Sequence, residues 1–213
     1  MPTSRTYGDR CGIARALDVV GERWALLVVR ELLLGPQRFS DLRRALPRAS
    51  SNIVADRLRE LEDRGVVGRR TLPPPAASAV YELTPWGREL EPVVLALGGW
   101  GIRAPQPPGE PTLSATSVLL YLRGGAHVDR AAPPAADRFE LGETVWTVRS
   151  RDGEVQVQPG ETAAPDATLR TDPLTLNDVL AGPCSLDAAV AEGRAAMGGD
   201  VRALRRLLGS VSS

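Results

Sequence analysis

Residues 38–84 of this chain read RFSDLRRALPRASSNIVADRLRELEDRGVVGRRTLPPPAASAVYELT, and they carry the clearest signals for where helices begin and end. Ser40 precedes DLRRAL, where its hydroxyl can accept a hydrogen bond from a free backbone N–H group and cap a helix. Pro47 ends that helix, because the residue before a proline is held out of the α region. Ser50 and Ser51 then offer a second capping hydroxyl, so we predict two helices joined by a short turn.

The second helix has one apolar and one polar side. Val54, Leu58 and Leu61 recur at i, i+4 and i+7 and form an apolar stripe. The opposite side is centred on Asn52, Asp56 and Arg59. Gly65 ends the helix, since glycine readily takes the positive φ found there. We therefore predict that the apolar stripe packs in a small core while the amide and guanidinium groups face outward.

Two short strands follow this helix. We predict them at Arg69–Leu72 and Val80–Leu83, joined by the proline-rich tip Pro73–Ser78. Helix, turn, helix and a two-stranded wing make up a winged helix-turn-helix, which places its second helix in the major groove of DNA. The alternative is a plain helical hairpin whose arginines serve solubility, but such a hairpin does not require the strand–tip–strand continuation.

This layout predicts which side chains contact DNA. Ser51, Asn52 and Asp56 are expected at base edges, where Asp56 could accept a hydrogen bond from a cytosine amino group. The capping residues Ser40 and Ser50 belong to the same expected surface. Phosphate contacts are expected from six arginines, namely Arg38, Arg43, Arg57, Arg59, Arg69 and Arg70.

The charge distribution supports this placement. The 213-residue chain has no net charge, and all 26 of its basic residues are arginines. Residues 1–105 hold 16 arginines against 12 acidic residues, whereas residues 106–213 hold 10 against 14. Residues 38–70 alone hold 9 arginines against 5 acids. Positive charge is thus concentrated where phosphate contact needs it, but the excess is modest, so tight binding would require a dimer.

Helices are also predicted on both sides of this segment. Residues 11–20 and the nearly continuous apolar run Trp24–Leu34 precede it, and the latter is expected to be the buried centre of the domain. Thr84-Pro85 begins a further helix, Trp86–Trp100, whose apolar stripe is Leu90, Val94 and Leu97. That stripe has no evident partner in so small a domain. We expect it to pack on a second subunit; the alternative is packing within its own domain.

Residues 7–103 resemble the HxlR family of bacterial transcription regulators. The resemblance rests on Cys11 in the opening helix, DVVGERWALLVVREL, GPQRFSDLRRALP, SNIVADRLRELEDRGVV and YELTPWGREL, closing with Trp100-Gly101. It implies a homodimer built through the first and last helices, which binds a palindromic operator and regulates neighbouring genes. Some members of the family sense oxidants through a cysteine at the position of Cys11. A buried structural cysteine is the alternative, because the N-terminal half has no second cysteine.

The second half of the chain has a different pattern. We place a winged helix-turn-helix domain at residues 1–103, a stiff proline-rich linker at 104–111 and an α+β domain at 112–213. A helix is predicted over residues 113–122. Strands are predicted at 138–141, 144–149, 154–158 and 167–170, with Asp152-Gly153 as a tight turn. Helices are predicted at 173–180, 185–191 and 200–208, with Ser185 and Asp200 as caps.

This half resembles the sterol carrier protein type 2 fold through VWTVRSRDGEVQVQPG, APDATLRTDPLTLNDVLAG and LDAAVAEGRAAMGGDVRALRRLL. The resemblance implies a pocket for a lipophilic small molecule that acts as an effector. The candidate lining residues are Leu119, Leu122, Trp146, Val148, Leu180, Val190 and Met197. The alternative is that they are simply core residues, and the domain could then serve dimerisation without a ligand.

The composition argues against several other functions. A chain without lysine has no phosphate-loop lysine and no Schiff base, and His127 is the only histidine, so an enzyme is not expected. Cys11 and Cys184 lie too far apart in sequence to indicate a zinc site, and we expect neither a metal nor a cofactor. No signal peptide or membrane segment is evident, which favours the cytoplasm. The rival hypothesis is a lipid-binding protein whose N-terminal half serves only for dimerisation.

Overall fold

The structure is a computed structural model that describes residues 6–73, 78–105 and 108–211. The chain divides into two compact units, residues 1–108 and residues 109–213. Each unit has its own core and is described by itself. Part of the predicted wing tip, residues 74–77, lies outside the described residues.

The first unit is mostly helical. Its elements are α1 (Gly12–Val20), α2 (Ala25–Leu32), β1 (Gln37–Arg38), α3 (Phe39–Ala45), α4 (Ser51–Asp63), β2 (Val67–Thr71), β3 (Ala79–Leu83), α5 (Pro85–Arg88) and α6 (Glu91–Gly101). The strands form an antiparallel sheet in the order β1-β3-β2. This arrangement confirms the predicted winged helix-turn-helix.

The core of this unit joins α2 and α4. Val28 and Val29 of α2 have no solvent exposure, and Leu58 and Leu61 of α4 are 1% exposed. Trp24 has a φ of 80°, so the helix predicted from Trp24 begins at Ala25 instead. Gly65, with a φ of 74°, ends α4 as predicted. The apolar stripe of α4 is therefore buried, and its polar side is left outward.

Two predictions for this unit were wrong. Ser40 does not cap α3, because the helix begins at Phe39, two residues before the predicted start at Asp41. The backbone N–H of Arg38, the residue before the helix, donates to Asp41 Oδ2 at 3.3 Å. The helix predicted over residues 86–100 is two helices, with a break at residues 89–90. Pro92 lies in the first turn of α6, where its missing N–H group costs no intrahelical hydrogen bond.

The second unit is an α+β domain, as predicted. Its elements are α7 (Ala115–Gly125), β4 (Ala135–Leu141), β5 (Thr144–Arg151), β6 (Glu154–Pro159), β7 (Ala167–Thr171), α8 (Pro173–Ala181), α9 (Leu186–Ala191), β8 (Ala196–Gly199) and α10 (Val201–Gly209). The strand order is β6-β5-β4-β7-β8. Only the β4–β7 pair is parallel; the other three pairs are antiparallel.

Local signals account for most of these boundaries. Asp152 and Gly153 have φ values of 54° and 86°, which gives the predicted tight turn between β5 and β6. Ser185 Oγ accepts from Ala188 N–H at 3.1 Å, and Asp200 Oδ1 accepts from Ala203 N–H at 2.9 Å, so both predicted caps are confirmed. Strand β8 was not predicted, since the sequence AMGG has no alternating pattern.

Candidate nucleic-acid interface

The N-terminal end of α4 is the best exposed polar part of the helix-turn-helix. Ser50 Oγ accepts a hydrogen bond from Ile53 N–H at 3.3 Å, so the predicted cap is confirmed and the helix begins at Ser51. Ser51 and Asn52 are exposed, whereas Val54 in the next turn is fully buried. Free backbone N–H groups at this end add a partial positive charge. This end of α4 can therefore approach a polyanion while it presents side chains to base edges.

Acidic neighbours pair with the arginines on α4 itself. Arg59 is 70% exposed and forms an ion pair with Asp56, one helical turn earlier. The side chain of Arg57 is only 15% exposed; its guanidinium lies 2.6 Å from Glu60 and 3.5 Å from Glu22, in the loop after α1. Arg57 thus holds α4 against this loop. Arg59 is much better placed than Arg57 to reach a phosphate.

The wing sheet brings two of the predicted arginines onto one face. Arg38 on β1 and Arg70 on β2 both lie opposite Val80, the residue between them on β3. Side chains opposite each other in an antiparallel pair share a face of the sheet, so Arg38 and Arg70 flank Val80 on the same side. Arg70 is 45% exposed and pairs with Glu82 at 3.0 Å. Arg38 is exposed as well.

The remaining predicted residues differ in their surroundings. Arg69 lies over the ring of Tyr81, 5.8 Å from its centroid. The half-buried Arg43 donates to the carbonyl oxygen of Ala49 and so supports the turn between α3 and α4, while Ser40 is exposed on the first turn of α3. Sequence reasoning missed Arg48, which is exposed in that turn just before the N-terminal end of α4. Its position between Pro47, which ends the first helix, and Ser50, which caps the second, was the sequence signal that could have identified it.

Helices α1 and α6 both expose large apolar side chains. Ile13 is 73% exposed and Trp100 is 67% exposed, and Leu17 and Leu97 are also exposed. No residue of α6 is buried within the chain. A groove of about 460 Å³ lies between α1 and α5 and is lined mainly by Ala16, Val19, Val20, Val66, Trp86 and Leu90. Exposed apolar surface on this scale is typical of a binding interface.

Cys11 lies at the N-terminal end of α1. It is exposed, and its backbone N–H donates to Asp9 Oδ1 at 2.9 Å. The backbone N–H groups of Ala14 and Ile13 face the sulfur and lower the pKa of the thiol. The alternative of a buried structural cysteine is therefore wrong. Cys11 has the exposure and the lowered pKa that favour a reactive thiolate.

The seven residues predicted to line a lipophilic pocket differ in their exposure to solvent. Leu119, Leu122 and Val148 have no solvent exposure, and Trp146 and Leu180 are nearly as buried. Val190 is 36% exposed on α9, and Met197 is half-buried on β8. None of these seven residues lines the second described cavity, which measures about 200 Å³, lies in the same unit and has both polar and apolar lining residues. Their role as ligand contacts stays a prediction.

The fold and the exposed end of α4 define a winged helix-turn-helix regulator with an appended α+β unit. Residues 19–107 match the HxlR-like helix-turn-helix family, and residues 135–209 match the SCP-2 sterol transfer family. The chain belongs to the HxlR-like helix-turn-helix family, as its sequence motifs predicted. It is therefore a transcriptional regulator.

Curated relatives agree with this assignment. The HTH-type transcriptional regulator YvaP of Bacillus subtilis is 40% identical over 86 residues, which are 40% of this chain and 80% of that protein. The regulator MT3179 of Mycobacterium tuberculosis is 38% identical over 120 residues, 55% of this chain and 71% of that protein. These relatives are named as regulators and not as enzymes. No helix within the described ranges is long and apolar enough to cross a membrane.

Solved structures of regulators each cover about half of the chain. The redox regulator HypR in its oxidized form is 33% identical and covers 46% of this chain and 100% of its own, with a TM-score of 0.43. The reduced form of the regulator YodB from B. subtilis is 31% identical and covers 48% of this chain and 100% of its own, with a TM-score of 0.41.

Proposed function

We propose that this protein is a homodimeric regulator that binds a palindromic operator and responds to a small molecule held by its C-terminal unit. The observation that carries the DNA-binding half is the N-terminal end of α4, where Ser51 and Asn52 are exposed on a helix whose other side is buried. The SCP-2 match over residues 135–209 supports the effector half, because that family is described as one of sterol transfer.

In this proposal two sets of side chains have separate tasks. Ser51 and Asn52 contact base edges and give sequence preference, as short polar side chains at the start of a recognition helix can. Arg38 and Arg70 contact phosphates from one face of the wing sheet and give affinity without sequence preference. Arg59 adds a third phosphate contact if DNA competes with Asp56 for its guanidinium.

A gel-shift titration at several salt concentrations tests this division. The probe is the DNA upstream of the protein's own gene. We expect Asn52→Ala to weaken binding roughly 5- to 150-fold per subunit without changing the salt dependence, since about 1–3 kcal/mol is typical of one base contact. Arg38→Ala and Arg70→Ala should each reduce the slope of log K against log salt by about 1 per subunit.

Arg202→Ala is the matched control, because Arg202 is an exposed arginine of the C-terminal unit. It should leave both affinity and salt slope unchanged. If Arg38→Ala and Arg70→Ala behave like Arg202→Ala, the wing sheet does not contact phosphate. If the unmodified protein binds no operator at all, the rival hypothesis of a lipid-binding protein gains support.

A second mode of control is favoured by the surroundings of Cys11. An exposed thiol with a lowered pKa can be oxidised, and two Cys11 thiols of a dimer would form a disulfide by giving two electrons and two protons to a peroxide. We expect hydrogen peroxide to release DNA from the unmodified protein but not from Cys11→Ser. Cys184→Ser is the control and should still respond; equal release from all three proteins would refute the switch.

A further inference from the structure

The inner face of the C-terminal sheet carries one carboxylate among apolar side chains. Asp137, Phe139 and Leu141 alternate along β4, and all three are at most 2% exposed. The residue opposite Asp137 on β5 is the fully buried Val148. An acidic residue is rarely found at such a position unless it is paired.

The carboxylate of Asp137 makes only part of the hydrogen bonds that it could accept. The backbone N–H of Ala167 on β7 hydrogen-bonds to its carboxylate, but Oδ1 has no hydrogen-bond partner among the described residues. Burial raises the pKa of Asp137 to about 6, and the nearby charges of Asp166 and Asp200 add to this rise. A buried acceptor without a donor lowers stability, and groups of this kind are concentrated at functional sites.

The carboxylate lines a cavity of about 200 Å³. The cavity lies between α10, the start of β4, the end of β5 and the loop of residues 127–133. Its polar lining includes Ser150 and Ser210, and Val128, Pro133 and Leu207 give it an apolar side. Pockets for drug-sized ligands measure roughly 300–1,000 Å³. This cavity therefore suits a smaller molecule that is part polar and part apolar.

The charges around the cavity determine which small molecule fits. Asp129 lines it together with Asp137, and Asp166 and Asp200 lie close enough to affect Asp137. The basic side chains that line the cavity are those of the exposed Arg206, which does not reach Asp137 Oδ1, and of His127. An anion would be repelled at the buried end. In the described part of the chain no three acidic, histidine or cysteine residues are arranged to hold a metal ion.

We propose that this cavity binds a small organic amine, whose protonated nitrogen donates a hydrogen bond to Asp137 Oδ1 while its hydrocarbon part contacts Leu207 and Pro133. The ionised amine would supply both the missing donor and the missing positive charge. As an effector, this amine belongs to the proposed regulatory function and rests on it. Its binding to the C-terminal unit is a separate property that can be measured without DNA.

Calorimetric titration of the full chain tests the proposal. The probes are butylamine, benzylamine and phenethylamine, each beside the alcohol and the carboxylate of the same skeleton. We expect at least one amine to bind at least tenfold more tightly than its matched alcohol, and no carboxylate to bind. Below about pH 6 the affinity should fall about tenfold per pH unit, because the carboxylate becomes protonated.

Two matched substitutions make the result specific. Asp137→Asn keeps the shape of the side chain and should reduce amine affinity at least tenfold. Asp152→Asn removes an exposed carboxylate, 81% accessible, in the turn between β5 and β6, and should leave affinity unchanged. If no amine exceeds its alcohol, or if Asp137→Asn binds as tightly as the unmodified protein, the proposal is wrong. A failure to bind operator DNA would leave this result unaffected.

Discussion

At the scale of the residue, Asp137 lowers the stability of the fold it belongs to. Its carboxyl has a pKa raised from the ordinary value of 3.8 to about 6, mainly because burial disfavours the charged form. The folded state therefore binds this proton more tightly than the unfolded state. With respect to this residue, stability is greatest below about pH 4, falls as pH rises from about 4 to 6, and stays lower above that range.

Asp137→Asn removes this titration while an amide oxygen can still accept from Ala167 N–H. At about pH 7.5 we expect the variant to be more stable than the unmodified protein by about 1–3 kcal/mol, and near pH 4 the difference should vanish. Thermal unfolding at the two pH values measures this, with Asp152→Asn as the control. A loss of stability at pH 7.5 would show that the charged carboxylate is satisfied in solution.

At the scale of the element, the backbone that follows α4 is hydrogen-bonded to Thr84, the residue that caps α5. Thr84 N–H donates to Val66 O at 3.0 Å, and Thr84 Oγ1 donates to Gly65 O at 2.7 Å. Gly87 completes the contact, because a Cβ atom at this position would lie 2.1 Å from Val66 O. Only glycine allows this approach of α5 to the backbone that follows the recognition helix.

Gly87→Ala should therefore force α5 away from Val66. We expect a loss of about 1–3 kcal/mol in the free energy of unfolding, as overpacking against backbone typically causes. Urea denaturation followed by circular dichroism measures it. Gly12→Ala is the matched control: a Cβ there meets nothing within 4 Å, so its effect should stay within about 0.5 kcal/mol. Equal stability of the two variants would contradict the contact.

Elements with local signals could be predicted, and those that depend on distant partners could not. The Ser50 cap and the positive φ at Gly65 follow from their own residues. The break between α5 and α6 was readable at Pro92, but β1 is two residues long and exists through its pairing with β3.

The candidate site shows the same limit. The sequence indicated that arginines gather around α4, and it placed the exposed polar residues at the start of that helix. It could not show that Arg57 reaches Glu22, 35 positions away, or that Arg43 turns to Ala49 O. Which of several arginines stays available for phosphate is decided by such tertiary partners, and periodicity carries no information about them.

At the scale of the whole molecule, the exposed surface on α1 and α6 bears on assembly. Ile13 and Leu17 on α1, and Leu97 and Trp100 on α6, are large apolar side chains that face solvent in a single chain. Exposed apolar side chains that lie together mark interaction sites. A palindromic operator needs two recognition helices about one turn of DNA apart. If this surface packs against the same surface of a second copy, its apolar side chains become buried. The resulting dimer then also has the second α4 that a palindromic operator needs.

Leu97→Asp tests this assembly directly. Leu97 is 48% exposed within one chain, so an aspartate there should not disturb folding, but in a subunit interface it would bury a charge. We expect the dimer to weaken on the order of a hundredfold. Light scattering after size-exclusion chromatography should show monomers, and operator affinity should fall with it, since one α4 alone makes half of the contacts.

Arg202→Asp provides the comparison, because it puts the same aspartate at an exposed position on α10 of the C-terminal unit. It should remain dimeric and bind operator normally. If Leu97→Asp also remains dimeric, α6 does not form the interface, and its apolar surface must be covered by something else. If Leu97→Asp is monomeric yet binds operator as tightly as before, a single α4 is sufficient and the palindromic operator has no basis. Oligomeric state therefore tests whether α6 forms the subunit interface, and operator affinity tests whether DNA binding depends on that interface.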